Sequence, residues 1–182
     1  MKVCTFLTDG FETVEALAVV DILRRAGIDV NLISITGSKS VKSAQNIIIQ
    51  AEYTIEEYHF DDTELLFLPG GPGHKHYLQC DQLIELLKKY NKNGNRIAAI
   101  CAAPSVLGKL GILQGKKAMA YPGYEGDLLG AEVMSSPERV VTDGTITTSR
   151  GMGTSIDLGL ELVRLLLSDE EAERIGKGIQ YV

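Results

Sequence analysis

Short apolar runs alternate along the chain with longer stretches in which apolar residues recur every three or four positions. The short runs predict buried strands, and the longer stretches predict amphipathic helices. A strand, a helix and a second strand follow one another in the first 35 residues, which predicts a parallel sheet with right-handed crossovers. We expect strands at 2–8, 28–35, 64–68, 97–100 and 117–121, and helices at 11–25, 81–91, 104–110 and 154–167.

Local signals add detail to this pattern. Asp143-Gly144 between two apolar runs predicts a hairpin over 140–149. Ser168, followed by three acidic residues, predicts the N-cap of a last helix. Within 37–50, one or two short strands are expected around an apolar core of Ile47, Ile48 and Ile49. The predicted inward side chains of the first helix are Val14, Leu17, Ala18 and Ile22.

The composition excludes several classes of protein. The net charge of −6 argues against nucleic acid as the main partner, because phosphate binding needs basic patches. No apolar run is long enough for a transmembrane helix, and the N-terminus predicts a strand rather than a signal peptide. Cys4, Cys80 and Cys101 form neither a disulfide framework nor a CxxC zinc motif, which favours a reducing cytoplasm. No repeat or linker occurs, so we expect one domain over 1–182.

The segment 96–107 combines a buried strand, a cysteine and the start of a helix. Pro104 suits a first helical turn, where its missing N–H is not needed. Cys101 is therefore expected at the carboxyl end of a strand, the edge at which open parallel sheets bind ligands. From these residues alone, Cys101 is either a nucleophile or an inert buried cysteine, because both need the same apolar flanks.

Three other groups of residues invite a functional interpretation. The turn 69–73, Pro-Gly-Gly-Pro-Gly, would let backbone N–H groups approach a ligand, although no dinucleotide or P-loop fingerprint is present. Glu12 and Glu15 share one helix face, either as solvated carboxylates or with one of them over the sheet edge near Cys101. His74 and His76 are either part of a surface loop, which the lack of further ligands favours, or a metal-binding pair.

Five segments together resemble the ThiJ/PfpI superfamily, and within it the branch of Parkinson-disease-associated protein deglycases. They occur in the family's order and with similar spacing, and the resemblance runs essentially from end to end. The segments are 11–15 (Phe-Glu-Thr-Val-Glu), 21–27 (Asp-Ile-Leu-Arg-Arg-Ala-Gly), 68–71 (Leu-Pro-Gly-Gly), 98–104 (Ala-Ala-Ile-Cys-Ala-Ala-Pro) and 148–155 (Thr-Ser-Arg-Gly-Met-Gly-Thr-Ser).

The resemblance implies a flavodoxin-like three-layer α/β sandwich with a mainly parallel sheet, and a homodimer. It implies an active site without cofactor or metal, in which Cys101 lies on a nucleophile elbow and Glu15 comes from the first helix. Gly71 and Ala102 would supply the backbone N–H groups of an oxyanion hole. Because a thiolate and a carboxylate repel each other, we expect a protonated Glu15 with a raised pKa and an ionised Cys101 with a depressed pKa.

The chain departs from related patterns at several positions. The best-known eukaryotic members have a histidine at position 121, where this chain has Tyr121, so we expect at most a substrate contact or a hydrogen-bond donor there. The protease-like branch has a histidine directly after the nucleophile, where this chain has Ala102, which argues against a peptidase. Amidotransferases of related fold have glycines on both sides of their cysteine and a later His-x-Glu, and both features are missing here.

Two functions follow from the resemblance. The first is a glyoxalase or deglycase, in which Cys101 attacks a small aldehyde such as methylglyoxal, or an early glycation adduct, and Glu15 shuttles protons. The alternative is a redox-responsive stress protein or chaperone that senses oxidation at Cys101.

Overall fold

A computed structural model gives the structure of residues 1–181. Its centre is a seven-stranded sheet in the order β10-β11-β7-β6-β1-β2-β5, parallel except for the β10–β11 hairpin. The strands are β1 (Lys2–Leu7), β2 (Asp29–Ser34), β3 (Ser40–Lys42), β4 (Ile48–Gln50), β5 (Tyr53–Thr54), β6 (Leu65–Leu68), β7 (Arg96–Ile100), β8 (Lys117–Ala118), β9 (Glu132–Val133), β10 (Val140–Asp143) and β11 (Ile146–Ser149). The pairs β3–β4 and β8–β9 form two small separate sheets.

Helices cover both faces of the sheet, and each face has its own apolar core. The helices are α1 (Thr13–Arg25), α2 (Asp81–Asn93), α3 (Pro104–Lys109), α4 (Ser155–Leu166) and α5 (Asp169–Gly178). Helices α1, α4 and α5 pack together on one face, and α2 and α3 lie on the other. The predicted class, a flavodoxin-like three-layer α/β sandwich with a mainly parallel sheet, is confirmed.

Most predicted strands and helices are found with small shifts of their ends, but the strand expected at 117–121 is reduced to Lys117–Ala118 and lies outside the main sheet. The hairpin turns at Asp143-Gly144 as expected, and the Ser168 hydroxyl accepts the Glu171 N–H at the start of α5. The pairing of β5 with the sheet edge and the short strand β9 were not predicted, because two-residue strands carry no periodicity.

Two predictions about burial are wrong. Val14 is exposed rather than inward, because α1 turns Glu15, Ala16 and Val19 toward the sheet instead. Ile47 and Ile48 are exposed rather than forming a core, because the β3–β4 pair stands outside the main sheet. Both errors come from treating hydrophobicity as burial, whereas folded proteins also expose apolar side chains.

Candidate active site

Cys101 directly follows β7 and precedes the turn into α3. Its φ of 64° lies in the left-handed region, which a residue other than glycine adopts only when its surroundings enforce it. Two hydrogen bonds hold this backbone: the Cys101 N–H donates to the Ser149 carbonyl oxygen at 2.9 Å, and the Tyr121 N–H donates to the Cys101 carbonyl oxygen at 2.8 Å. The cysteine is thus at the predicted sheet edge, in a conformation that the sequence does not reveal.

Two backbone N–H groups converge on the Cys101 sulfur. They belong to Gly71 and Ala102, and both lower the pKa of the thiol. Gly71 has a φ of 90°, and a Cβ there would lie 2.5 Å from the Glu12 nitrogen and 2.6 Å from the Gly10 carbonyl oxygen. Only glycine therefore fits at position 71, which fixes its N–H beside the sulfur.

Glu15 approaches the same sulfur from the first turn of α1. Its side chain is 1% exposed, accepts the Gly70 N–H at 2.9 Å, and interacts with Cys101, which lowers the pKa of the carboxyl. A Cβ on Gly70 would lie 2.6 Å from the Cys101 Cβ and 2.7 Å from Glu15 Oε2. The missing side chain at position 70 therefore leaves the space in which the carboxyl and the thiol meet.

The electrostatics of this pair agree with one prediction and overturn another. Burial raises the pKa of Glu15 to about 7, while its hydrogen bonds with Cys101 and Gly70 lower that pKa to a smaller extent. The predicted raised pKa of Glu15 is confirmed. Burial also raises the pKa of the Cys101 thiol to about 12, and the negative charge of Glu15 acts in the same direction.

The predicted depressed pKa of Cys101 is therefore wrong. The N–H groups of Gly71 and Ala102 lower the thiol pKa, as expected next to a helix N-terminus, but the loss of hydration outweighs them. As a result Glu15 ionises near neutral pH, whereas the thiol keeps its proton until a base removes it. The site combines a buried thiol, a carboxylate base in hydrogen-bond contact with it, and two backbone donors.

Tyr121 lies next to this pair, at the edge of a cavity of about 430 Å³. Its half-exposed ring packs over Gly151, where a Cβ would lie 3.1 Å from Tyr121 Cδ2 and 3.9 Å from Glu15 Oε1. The cavity is lined by Tyr121, Pro122 and residues 150–154. Two of these lining residues, Arg150 and Met152, were given no role from the sequence, although both lie in a segment that resembles the family.

The remaining candidate residues face other partners. Glu12 accepts a hydrogen bond from Gln45 at 2.9 Å. The His74 Nδ1–H donates to the Gly71 carbonyl oxygen, and the His76 ring hydrogen-bonds to the Thr8 hydroxyl. Both histidines lie in a 3₁₀ helix at Pro72–Gln79. Over residues 1–181, no three His, Cys, Asp or Glu side chains come close enough together to hold a metal ion.

Comparison with known proteins identifies the family of the chain. The model of the DJ-1/PfpI family matches residues 1–165, so the chain belongs to the DJ-1/PfpI family. Protein dj-1beta of Drosophila melanogaster is 33% identical over 174 residues, which cover 95% of this chain and 93% of that protein. A deglycase of Pyrococcus abyssi is 29% identical over 91% of this chain and 99% of its own length.

Among solved structures, an oxidized DJ-1 of Toxoplasma gondii superposes with a TM-score of 0.94 at 31% identity, covering 100% of this chain and 98% of that one. The predicted ThiJ/PfpI membership is confirmed, and it supports a cysteine-based deglycase or stress-related role. None of the helices in residues 1–181 has the length and hydrophobicity needed to cross a bilayer.

Proposed function

We propose that the protein is a cofactor-independent cysteine enzyme of glyoxalase or deglycase type, acting on reactive aldehydes such as methylglyoxal or on early glycation adducts. The observation that carries the proposal is the convergence of two backbone N–H groups and a buried carboxyl on the Cys101 sulfur. Paired donors of this kind stabilise an oxygen that gains negative charge, which an attack on a carbonyl produces. A cytoplasmic location, which suits three unpaired cysteines, belongs to the same proposal.

In the first step, the Cys101 sulfur forms a bond to the aldehyde carbon, and the π electrons of the carbonyl move to its oxygen. The thiol proton passes to the Glu15 carboxylate, because a thiol with a pKa of about 12 does not ionise unaided at neutral pH. The N–H groups of Gly71 and Ala102 hold the oxyanion, as in a nucleophile elbow with its oxyanion hole. Tyr121 contacts the substrate at the cavity edge.

In the second step, Glu15 transfers protons at two adjacent carbons, the former aldehyde carbon that is now bonded to sulfur and the ketone carbon next to it. The proton on the former aldehyde carbon is removed, and a proton is delivered to the neighbouring carbon, which leaves a thioester of the hydroxy acid. Water then hydrolyses the thioester and restores the thiol. Methylglyoxal and one water thus give lactate, with no net oxidation or reduction and no cofactor.

Lactate formation from methylglyoxal by the wild type and by Cys101→Ser tests the proposal. Lactate must be detected directly, because arginine and lysine side chains also consume the aldehyde. We expect lactate from the wild type and none from the variant. Equal rates in the two proteins would refute the role of Cys101.

A second candidate function is a redox-responsive stress protein or chaperone. It is favoured by the family relative whose solved structure is of an oxidized protein, and by the partial exposure of Cys101 next to donors that could hold a sulfinate. The raised pKa of the thiol counts against it, because the thiolate is the species that oxidises readily. Intact mass after mild peroxide decides: two oxygens added at Cys101 would support sensing, and an unmodified Cys101 would contradict it.

We also propose that two copies of the chain form a homodimer. Gln45 accepts a hydrogen bond from the Thr13 hydroxyl, which joins the β3–β4 connection to the start of α1. The aliphatic side chains exposed on these neighbouring segments are Val14, Ile47 and Ile48. Grouped exposed apolar residues mark protein contacts. Light scattering should give a dimer mass for the wild type and a monomer mass for Ile48→Asp, and a monomeric wild type would contradict the proposal.

A further inference from the structure

The cavity beside Cys101 is larger than a three-carbon aldehyde needs. Its volume of about 430 Å³ falls within the ~300–1,000 Å³ typical of pockets for drug-sized ligands. Two of its lining residues adjoin the catalytic pair: the Tyr121 N–H donates to the Cys101 carbonyl oxygen at 2.8 Å, and a Cβ on Gly151 would lie 3.9 Å from Glu15 Oε1. A substrate with its reacting carbon at Cys101 can therefore extend a further group into this space.

The lining of the cavity indicates what that group is. Residues 121, 122 and 150–154 contribute one formal charge, on Arg150, among Tyr, Pro, Gly, Met and Thr side chains. Acids close to the lining residues have partners of their own: Glu15 accepts the Gly70 N–H, Glu125 accepts the Gly123 N–H, and Asp157 pairs with Arg139. A planar guanidinium in a mostly apolar pocket matches a carboxylate, which it can bind through two parallel hydrogen bonds.

Arg150 also differs from most of the other arginines of the chain. Five of the seven form ion pairs with carboxylates: Arg24, Arg25, Arg139, Arg164 and Arg174. Among the described residues, Arg96 also has no ion pair, and its Nη1 is buried without a hydrogen-bond partner, but it lies at the amino end of β7, away from the site. Within residues 1–181, the Arg150 side chain has neither an ion pair nor a hydrogen bond, although the chain carries an excess of acidic residues. Its donors are thus available to a ligand.

We propose that this cavity is a subsite for a carboxylate on the substrate, and that Arg150 is the residue that binds it. The substrate class is then an aldehyde, or an aldehyde adduct, that carries a carboxylate a few bonds from the reacting carbon. The inference rests on the proposed function, since Cys101 receives the reacting carbon. Arg150 sets specificity and takes no part in the bond changes.

A matched pair of ligands tests the subsite without relying on turnover. The compounds 4,5-dioxopentanoate and 2-oxopentanal have the same five-carbon chain and the same reacting end, and differ in a terminal carboxylate or methyl group. Each is added in increasing concentration while iodoacetamide alkylates the protein, and peptide mass spectrometry reports modification of Cys101. Modification of Cys80 in the same sample is the internal reference.

In the wild type we expect the carboxylate compound to protect Cys101 at an at least ~10-fold lower concentration than the neutral compound, the range of a charge-assisted hydrogen bond. Arg150→Met should bring the ratio of the two protecting concentrations to about one. Arg150→Lys should retain part of the difference because the charge remains. Arg174→Met removes an arginine on α5 and should leave the ratio unchanged. Added salt should reduce the ratio in the wild type.

The outcomes separate this inference from the proposed function. Equal protection by the two compounds, no protection by either, or an unchanged ratio in Arg150→Met would overturn the carboxylate subsite. Turnover of both compounds at equal efficiency would leave the enzyme proposal standing while refuting the subsite. Selective protection without any turnover would support the subsite and refute the enzyme proposal.

Discussion

The two ends of the central sheet each hold a cysteine, and they differ in nearly everything else. Cys4, in β1, is fully buried and lies within hydrogen-bond distance of the Thr63 hydroxyl, with the Tyr58 side chain nearby. Cys101, at the carboxyl end of β7, is partly exposed and meets two backbone N–H groups and a carboxyl. Burial raises the pKa of both thiols, so the pKa alone does not distinguish them.

The difference shows what makes a buried thiol usable. At the amino end, side chains fill the space around Cys4, and the sulfur has no base beside it. At the carboxyl end, Gly70 and Gly71 remove side-chain volume, which lets Glu15 and the backbone donors reach the sulfur. Access and a base within hydrogen-bond distance therefore distinguish the reactive end from the inert end.

The largest expected effect is the difference in alkylation between the two cysteines. In native protein treated with iodoacetamide, Cys101 should react at least ~10³-fold faster than Cys4, because Cys4 reacts only after unfolding. Peptide mass spectrometry over time measures both rates in one sample. Comparable rates would contradict the contrast between the two ends, and in denaturant the two rates should converge.

The second largest expected effect is the loss of activity when the Glu15 carboxylate is removed. Glu15→Gln should lower kcat/KM for methylglyoxal by about 10² to 10⁴-fold, the contribution typical of a positioned proton acceptor. Glu12→Gln is the matched control, because Glu12 lies three residues away in sequence but bonds Gln45 rather than the sulfur. A similar loss in both variants would mean that the effect is general to this end of α1.

The buried carboxyl should also make stability depend on pH. The folded state holds the Glu15 proton more tightly than the unfolded chain, since its pKa rises from 4.5 to about 7. This stabilisation is fully present below pH 4.5 and is lost as the pH rises through about 7. Relative to Glu15→Gln, the wild type should lose about 3 kcal/mol of unfolding free energy over this range. Urea titrations at several pH values measure the unfolding free energy of both proteins. If this free energy depends on pH in the same way in the wild type and in Glu15→Gln, the buried ionisable carboxyl is contradicted.

The smallest effect tests the space at position 70. Gly70→Ala should reduce stability by ~1–3 kcal/mol and impair alkylation of Cys101, because the added Cβ meets both Cys101 and Glu15. Gly126→Ala serves as control, since its Cβ would meet nothing within 4 Å. Thermal unfolding and alkylation rates report the two effects. Wild-type behaviour of Gly70→Ala would mean that the turn moves freely to accept a side chain.

Much of this arrangement could be predicted from local patterns. Periodicity gave the β-α-β order and the position of Cys101 at a strand's carboxyl end, because both depend on neighbouring residues. The position of Glu15 beside Cys101 depended on the family resemblance, since nothing in residues 12–15 alone distinguishes a buried glutamate from a solvated one. The exposure of Val14 and Ile48 and the raised pKa of Cys101 depend on packing between distant segments, which sequence patterns do not contain.

The pH dependence of lactate formation tests the central claim, that the Glu15 carboxylate takes the proton of the Cys101 thiol. Rates are measured from about pH 5 to about pH 9 with reduced wild type and with Glu15→Gln. The account predicts that kcat/KM of the wild type rises with a midpoint at about 7, where Glu15 ionises, and that the variant lacks this rise. A wild-type rate that does not change with pH, or the same profile in both proteins, would contradict it.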